Sequence, residues 1–267
     1  MPEYYELDTI IKVGEEFEMP ADRFYVIRKI GASADRDTAL VIDGIPLGKV
    51  KWTCAPVIKY VSNTLGPLDL GDYFYVVPPK KKIGCEGTSG DYMRIKGEVG
   101  KLAPGESLPA ALLTRFEKQH REYLTYVEAT FELGTDVTWT ADAEHLVLEL
   151  IPRTVEKYEF KYPVMVDISG DTVLRGDFAI RFYLDGKPLD VLGKEAGRRG
   201  IDVLACPRPP ASTVNMEPFT LEKHPITVEG DHRFQVKAIN TSGADKAPAS
   251  GSSWKVTVTL ICKKITS

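Results

Sequence analysis

The chain has little of what most recognisable chemistries require. Only four of its 267 residues are cysteine and four are histidine. Cys54, Cys85, Cys206 and Cys262 stand far apart with no CxxC pair, so neither a zinc cluster nor a dithiol redox site is written into them. The expectation is four separate buried thiols, the common fate of free cysteine. His120, His145, His224 and His232 include no HExxH and no close pair on one helical face, whereas a zinc site needs several ligands to converge. No serine sits in a GxSxG elbow. No cofactor is predicted. No apolar run approaches the roughly 20 residues that span a bilayer, so no transmembrane segment is expected. The opening stretch, MPEYYELDTIIKVGEEFEMP, lacks the basic start and apolar core of a secretory signal. Synthesis in the cytoplasm with reduced thiols is the corresponding expectation. Positive charge is also short. With 34 basic against 38 acidic residues the net charge is −4, which argues against specific nucleic-acid binding.

What is present is the composition of a packed globular protein, 43% hydrophobic and 27% charged. The length suits two domains at roughly 100–200 residues each. Strand-like segments dominate: Phe24–Ile30, Thr38–Ile42, Tyr73–Val77 and Tyr92–Glu98 early on, with weaker candidates at Lys49–Trp52 and Val57–Val61. His145–Ile151, Val155–Tyr162 and Phe178–Leu184 follow, then Leu189–Leu192 and Ile201–Ala205. The last strands place Phe234, Val236 and Ala238 on one face, then Trp254, Val256, Val258, Leu260 and Cys262.

One helix of about four turns, residues 108–122, interrupts this pattern. Leu112, Leu113, Phe116, Gln119, His120 and Tyr123 make its inward stripe, leaving Arg115 and Glu122 off it. The period then changes to two, with Val127, Ala129, Phe131 and Leu133 inward. This helix is expected to brace the two halves. Helices do not follow each strand, which excludes a parallel α/β fold. The fold class predicted is mainly β, with an N-terminal jelly-roll-like antiparallel sandwich at residues 1–152 and a second sandwich at 153–267. Gly134 is the alternative boundary.

FYLDGKPL, then HRFQVKAINTSG and a closing WKVTVTL, resemble the middle and final strands of immunoglobulin-like or fibronectin-type-III-like sandwiches. The resemblance covers the C-terminal part only and rests on alternation and turns. The paired cysteines and strand tryptophan of antibody domains are not in place. It implies an Ig-like second domain of a kind often used for recognition or structure, and no substrate.

The candidate ligand or interface residues are Trp52, Trp139, Lys80, Lys81, Lys82, Arg198 and Arg199. The lysine run after Pro79 reads first as a solvated loop tip. The loop GKEAGRRG, with Lys194, Arg198 and Arg199, lacks the P-loop pattern and its helix, as does GEVGKL. Asp35 and Asp37, or Asp167, Asp171 and Asp177, do not match the EF-hand loop. Arg175-Gly176-Asp177 is taken as a chance RGD. The leading expectation is a non-enzymatic structural protein that self-associates or joins other structural proteins, as in a virion capsid, turret or decoration subunit. Alternatives are a module binding carbohydrate through exposed aromatics, and a hydrolase with a site between the domains.

Overall fold

The computed structural model describes residues 2–55, 66–170, 174–191, 200–206 and 219–267. It is mainly β, built from antiparallel sheets, with one α-helix among the described residues. The chain divides into a first unit, residues 1–126 with 263–267, and a second, residues 127–262. The predicted strand at 57–61 and the basic loop at 193–199 fall outside the described residues.

The first unit opens with β1 (Glu3–Lys12) and β2 (Glu16–Glu18), then β3 (Arg23–Ala32), β4 (Ala39–Ile42) and β5 (Ile45–Pro46). β6 (Leu68–Asp69), β7 (Tyr75–Val77), β8 (Lys82–Glu86) and β9 (Tyr92–Lys101) complete two sheets. One runs β1-β9-β3-β6 with β7 also on β3, and the other runs β2-β8-β4-β5. Asp43-Gly44 forms the expected tight turn between β4 and β5, both residues at positive φ. Alternation places Leu7 and Ile11 of β1, and Met93 and Ile95 of β9, in the core. The Phe24 ring lies against Gly100, where a Cβ would come within 2.0 Å of it. Gly100 is therefore irreplaceable by a larger residue unless Phe24 moves.

The helix, α1 (Ala110–Gln119), has ten residues and about three turns, shorter than the 108–122 expected. Its buried residues are Arg115 and Gln119, while Leu113 is 45% exposed. The expected stripe places Gln119 inward as found, but not Arg115, and it wrongly includes Leu113. The reason lies in what the helix meets. β7 pairs with β3 on one side only, so its other side presents unpaired backbone groups. Gln119 Oε1 accepts from Val76 N–H at 2.8 Å, and Gln119 Nε2 donates to the Val76 carbonyl at 3.0 Å. Arg115 donates to the carbonyls of Tyr73, Phe74 and Glu122. A strand edge demands polar partners, and the helix supplies them. Leu112 packs beside Phe24, Val26 and Leu102. These partners all belong to the first unit, so α1 closes a strand edge there, and the brace expected from the sequence is not what its contacts describe.

β10 (Glu122–Glu132) leads into the second unit. That unit continues with β11 (Glu144–Leu150), β12 (Glu156–Phe160), β13 (Val164–Ser169), β14 (Phe178–Leu184), β15 (Lys187–Pro188) and β16 (Ile201–Asp202). It ends with β17 (Ile226–Val228), β18 (Phe234–Asn240) and β19 (Lys255–Thr266), whose residues after Cys262 belong to the first unit. One sheet runs β11-β18-β14-β15 with β16 on β14, the other β10-β19-β12-β17 with β13 on β19. Their inner faces share one core, in which Phe160 stacks on Phe234 at 5.0 Å and Phe178 meets Trp254 edge-on at 5.5 Å. This is sandwich packing. The stripes predicted for β18 and β19 are all in it. The division falls near residue 127, not at Pro152. β11 pairs along β18, and Trp139 packs against Phe178, so residues 127–152 belong with the second unit.

Candidate functional site

The N-terminal segment supplies the feature with the clearest chemical consequence. β1 is a ten-residue strand at the end of its sheet, paired with β9 from Glu3↔Lys101 to Lys12↔Tyr92. No other described strand pairs with it, so a row of backbone N–H and C=O groups faces outward. Long edges of this kind template pairing with another strand. The exposed side chains are equally unusual. Tyr4 is 49% exposed, Tyr5 54% and Ile10 49%. Tyr4 stands edge-on to Phe24, their centroids 5.9 Å apart, and Tyr5 donates its hydroxyl proton to Glu3.

Tyr4, Glu6, Asp8 and Ile10 share one face of β1, opposite the face that buries Leu7 and Ile11. Across that face Arg94 grips Asp8 with two hydrogen bonds, at 2.7 and 2.6 Å, and Lys96 lies 3.3 Å from the same carboxylate. The Arg94 guanidinium is the main reason the Asp8 carboxyl is held down at about 2. Asp8 is thus ionised at any ordinary pH, in a cluster carrying one net positive charge.

The residues singled out from the sequence do not assemble into one site. Trp139 is wholly buried, its indole N–H donating to Ala143 O at 2.9 Å, and so cannot form a ligand platform. A core with a hydrogen-bond acceptor in reach suits an indole better than solvent does. Trp52 is partly buried, its backbone N–H bonded to Ala34. Lys80 occupies a turn at φ 61°, while Lys81 pairs with Asp43 and Lys82 with Glu16, each at 2.7 Å. Paired in this way, the lysine run is no anion cradle. Arg198 and Arg199 lie outside the described residues.

Asp35 and Asp37 are taken up by Lys51, Thr53 and Lys49. In the RGD tripeptide Arg175 donates to the Val166 carbonyl and Asp177 pairs with Lys246, so both charges are spent within the fold. His145 stacks on Phe131, and burial pushes its imidazole below the usual range. Exposed His232 sits 2.7 Å from Asp185, which raises it. Among the described residues no three His, Cys, Asp or Glu side chains converge as metal ligands. All four cysteines are free and buried. Burial pushes Cys85 up to about 11 and Cys206 up to about 12, far from thiolate chemistry at neutral pH.

A hollow of about 620 Å³ lies on the second unit, over Ala179, Ile239 and Arg181 and beside Asp142, Asp202 and Thr241. Much of its polar lining is already engaged. Arg181 donates to Glu144 at 2.8 Å, Asp202 accepts from Leu204 N–H, and Thr241 donates to the Asp177 carbonyl. Sequence reasoning missed the β1 edge altogether. Its signal is the alternation of Tyr5, Leu7, Thr9 and Ile11 against Tyr4, Glu6, Asp8 and Ile10.

No protein family and no curated protein matches the sequence. Among solved structures, a conserved protein of unknown function from Pseudomonas aeruginosa PAO1 aligns over 98% of this chain and 79% of its own, at 9% identity and a TM-score of 0.23. The PBCV-1 virus capsid aligns over 100% and 96%, at 11% identity and a TM-score of 0.30. The ANXUR2 extracellular domain from Arabidopsis thaliana aligns over 97% and 83%, at 9% identity and a TM-score of 0.29. At such values these likenesses say nothing about what this chain does.

Proposed function

We propose that this is a non-enzymatic structural protein that works by assembly, with β1 as its association edge. One observation supports this above the rest. The ten-residue β1 has no described strand on its outer edge, is closed by Glu15 only at Lys12, and carries Tyr4, Tyr5 and Ile10 about half exposed. Proteins that stay monomeric blunt such edges with charged side chains, bulges, prolines or covering elements. This chain does so at β7, where Gln119 satisfies both backbone groups of Val76, and at β11, where a register shift falls between Leu146 and Leu148. β1 carries Glu3, Glu6, Asp8 and Lys12, of which Asp8 is paired with Arg94 and Lys96, but it has no proline and no register shift against β9. A virion capsid, turret or decoration subunit is one specific form of this reading. Sedimentation velocity across a wide concentration range tests the general form, with electron microscopy at the upper end. Growth of a defined oligomer with concentration is expected. A strict monomer throughout would sink the proposal.

A second reading has one observation in its favour. The hollow over Ala179 and Ile239, flanked by Asp142 and Asp202, is where a polyhydroxylated surface ligand would bind. Asp142→Ala with unchanged glycan-array binding would dismiss it.

A further inference from the structure

We infer that the occupant of the β1 edge is a second copy of this chain, its β1 pairing antiparallel about a two-fold axis at Leu7. This rests on the reading of β1 as an assembly edge and names the partner and the register.

The pattern on the strand is self-complementary. A two-fold axis perpendicular to a sheet keeps every side chain on its own face, so the axis must pass through a residue and not between two residues. Centred on Leu7, the pairing sets Tyr4 of each copy opposite Ile10 of the other, an aromatic against a β-branched side chain. These are the two apolar residues that this face of β1 leaves 49% exposed, and one register covers both at both ends. Tyr5 comes opposite Thr9, and Leu7 opposite its own copy on the inward face. The neighbouring registers are worse. Centring on Glu6 sets two glutamates against each other and puts Tyr4 opposite Asp8. Centring on Asp8 opposes two aspartates and puts Ile10 opposite Glu6. Like charges directly opposed destabilise a strand pair.

At Leu7 Glu3 falls opposite Ile11 at the strand ends, and the one like-charge conflict is Glu6 opposite Asp8. That aspartate already carries Arg94 at 2.6 Å and Lys96 at 3.3 Å. Glu6 therefore approaches a cluster with one net positive charge, and the contact is complementary. The same cluster disfavours a foreign strand that presents lysine there.

Site-directed cross-linking of the full chain tests the register. Tyr4→Cys and Ile10→Cys are prepared as separate proteins, as are Tyr5→Cys and Thr9→Cys, which leave Tyr4 and Ile10 intact. The native thiols are buried and form no background. The two pairs differ in parity, so one of them occupies the closer, non-hydrogen-bonded position with Cα atoms ~4.5 Å apart. On mild oxidation, at least one mixed pair is expected to give a covalent dimer that neither of its members gives alone. In two copies of Tyr4→Cys the introduced thiols would lie about 20 Å apart, six residues at ~3.4 Å each. If the wild type associates in sedimentation but neither mixture cross-links, this register is overturned while assembly stands. Cross-linking of Tyr4→Cys with itself also overturns the register. A wild type that remains monomeric removes both. Association only with another protein, with none between copies, overturns the second copy as occupant.

Discussion

Replacing Gln119 with alanine isolates the contact by which α1 closes β7. Gln119 and Val76 are both 0% exposed, and their two hydrogen bonds, 2.8 and 3.0 Å, run in opposite directions between the same residues. Alanine removes both partners and leaves the N–H and C=O of Val76 buried. An unsatisfied buried group costs about 1–3 kcal/mol. Two such groups, relieved in part by a water entering the vacated space, put the loss at about 2–4 kcal/mol. Urea unfolding with a slope of roughly 1–3 kcal/mol/M should show the midpoint falling by about 1–2 M. Lys118→Ala, on the exposed side of the same helix, should stay within about 0.5 kcal/mol of the wild type. A Gln119→Ala loss below about 0.5 kcal/mol would refute the view that this side chain acts as a surrogate strand neighbour.

Trp139→Ala should destabilise the second unit by about 3–5 kcal/mol, since the ring is wholly buried against Phe131, His145 and Phe178. A thermal unfolding scan checks this, and a variant within about 1 kcal/mol of the wild type would return Trp139 to the candidate ligand contacts. Asp8 should titrate at about 2 by carbon-detected NMR, and Arg94→Ala should move it up toward its ordinary value of 3.8. The sign follows from the depression. Whatever stability this pair contributes is present above the ordinary aspartate value and is lost as pH falls through about 2, so it adds no pH dependence near neutrality.

Much of the β architecture was legible because burial on one face enforces alternation. Phe234, Val236 and Ala238, or Trp254 through Cys262, announce their strand and its inner face together. Phe178–Leu184 was bounded correctly because Asp185-Gly186 turns the chain at its end. The helix was legible as a helix but only in part in its orientation. Gln119 falls on the expected stripe, but Arg115 looks solvent-facing in any apolar-stripe argument, and only its hydrogen bonds to the Tyr73 and Phe74 carbonyls put it on the buried side. The domain boundary was misplaced for a related reason. Pro152 is a strong local break, yet unit membership is decided by long-range pairing such as β11 on β18, which local pattern does not encode. β1 was hidden by its charges. Glu3, Glu6, Asp8 and Lys12 dilute the strand signal, and an edge strand with one wet face tolerates them.

Amide hydrogen exchange of the wild-type chain, measured at low and at high protein concentration, tests assembly through β1 most directly. The amides of residues 3–12 divide into those bonded to β9 and those facing outward. If β1 is the association edge, the outward set exchanges quickly in dilute solution and gains protection at high concentration, while the edge of β11 does not. Protection that fails to change with concentration, or that appears at β11 or around the hollow over Ala179 with β1 still open, would contradict it.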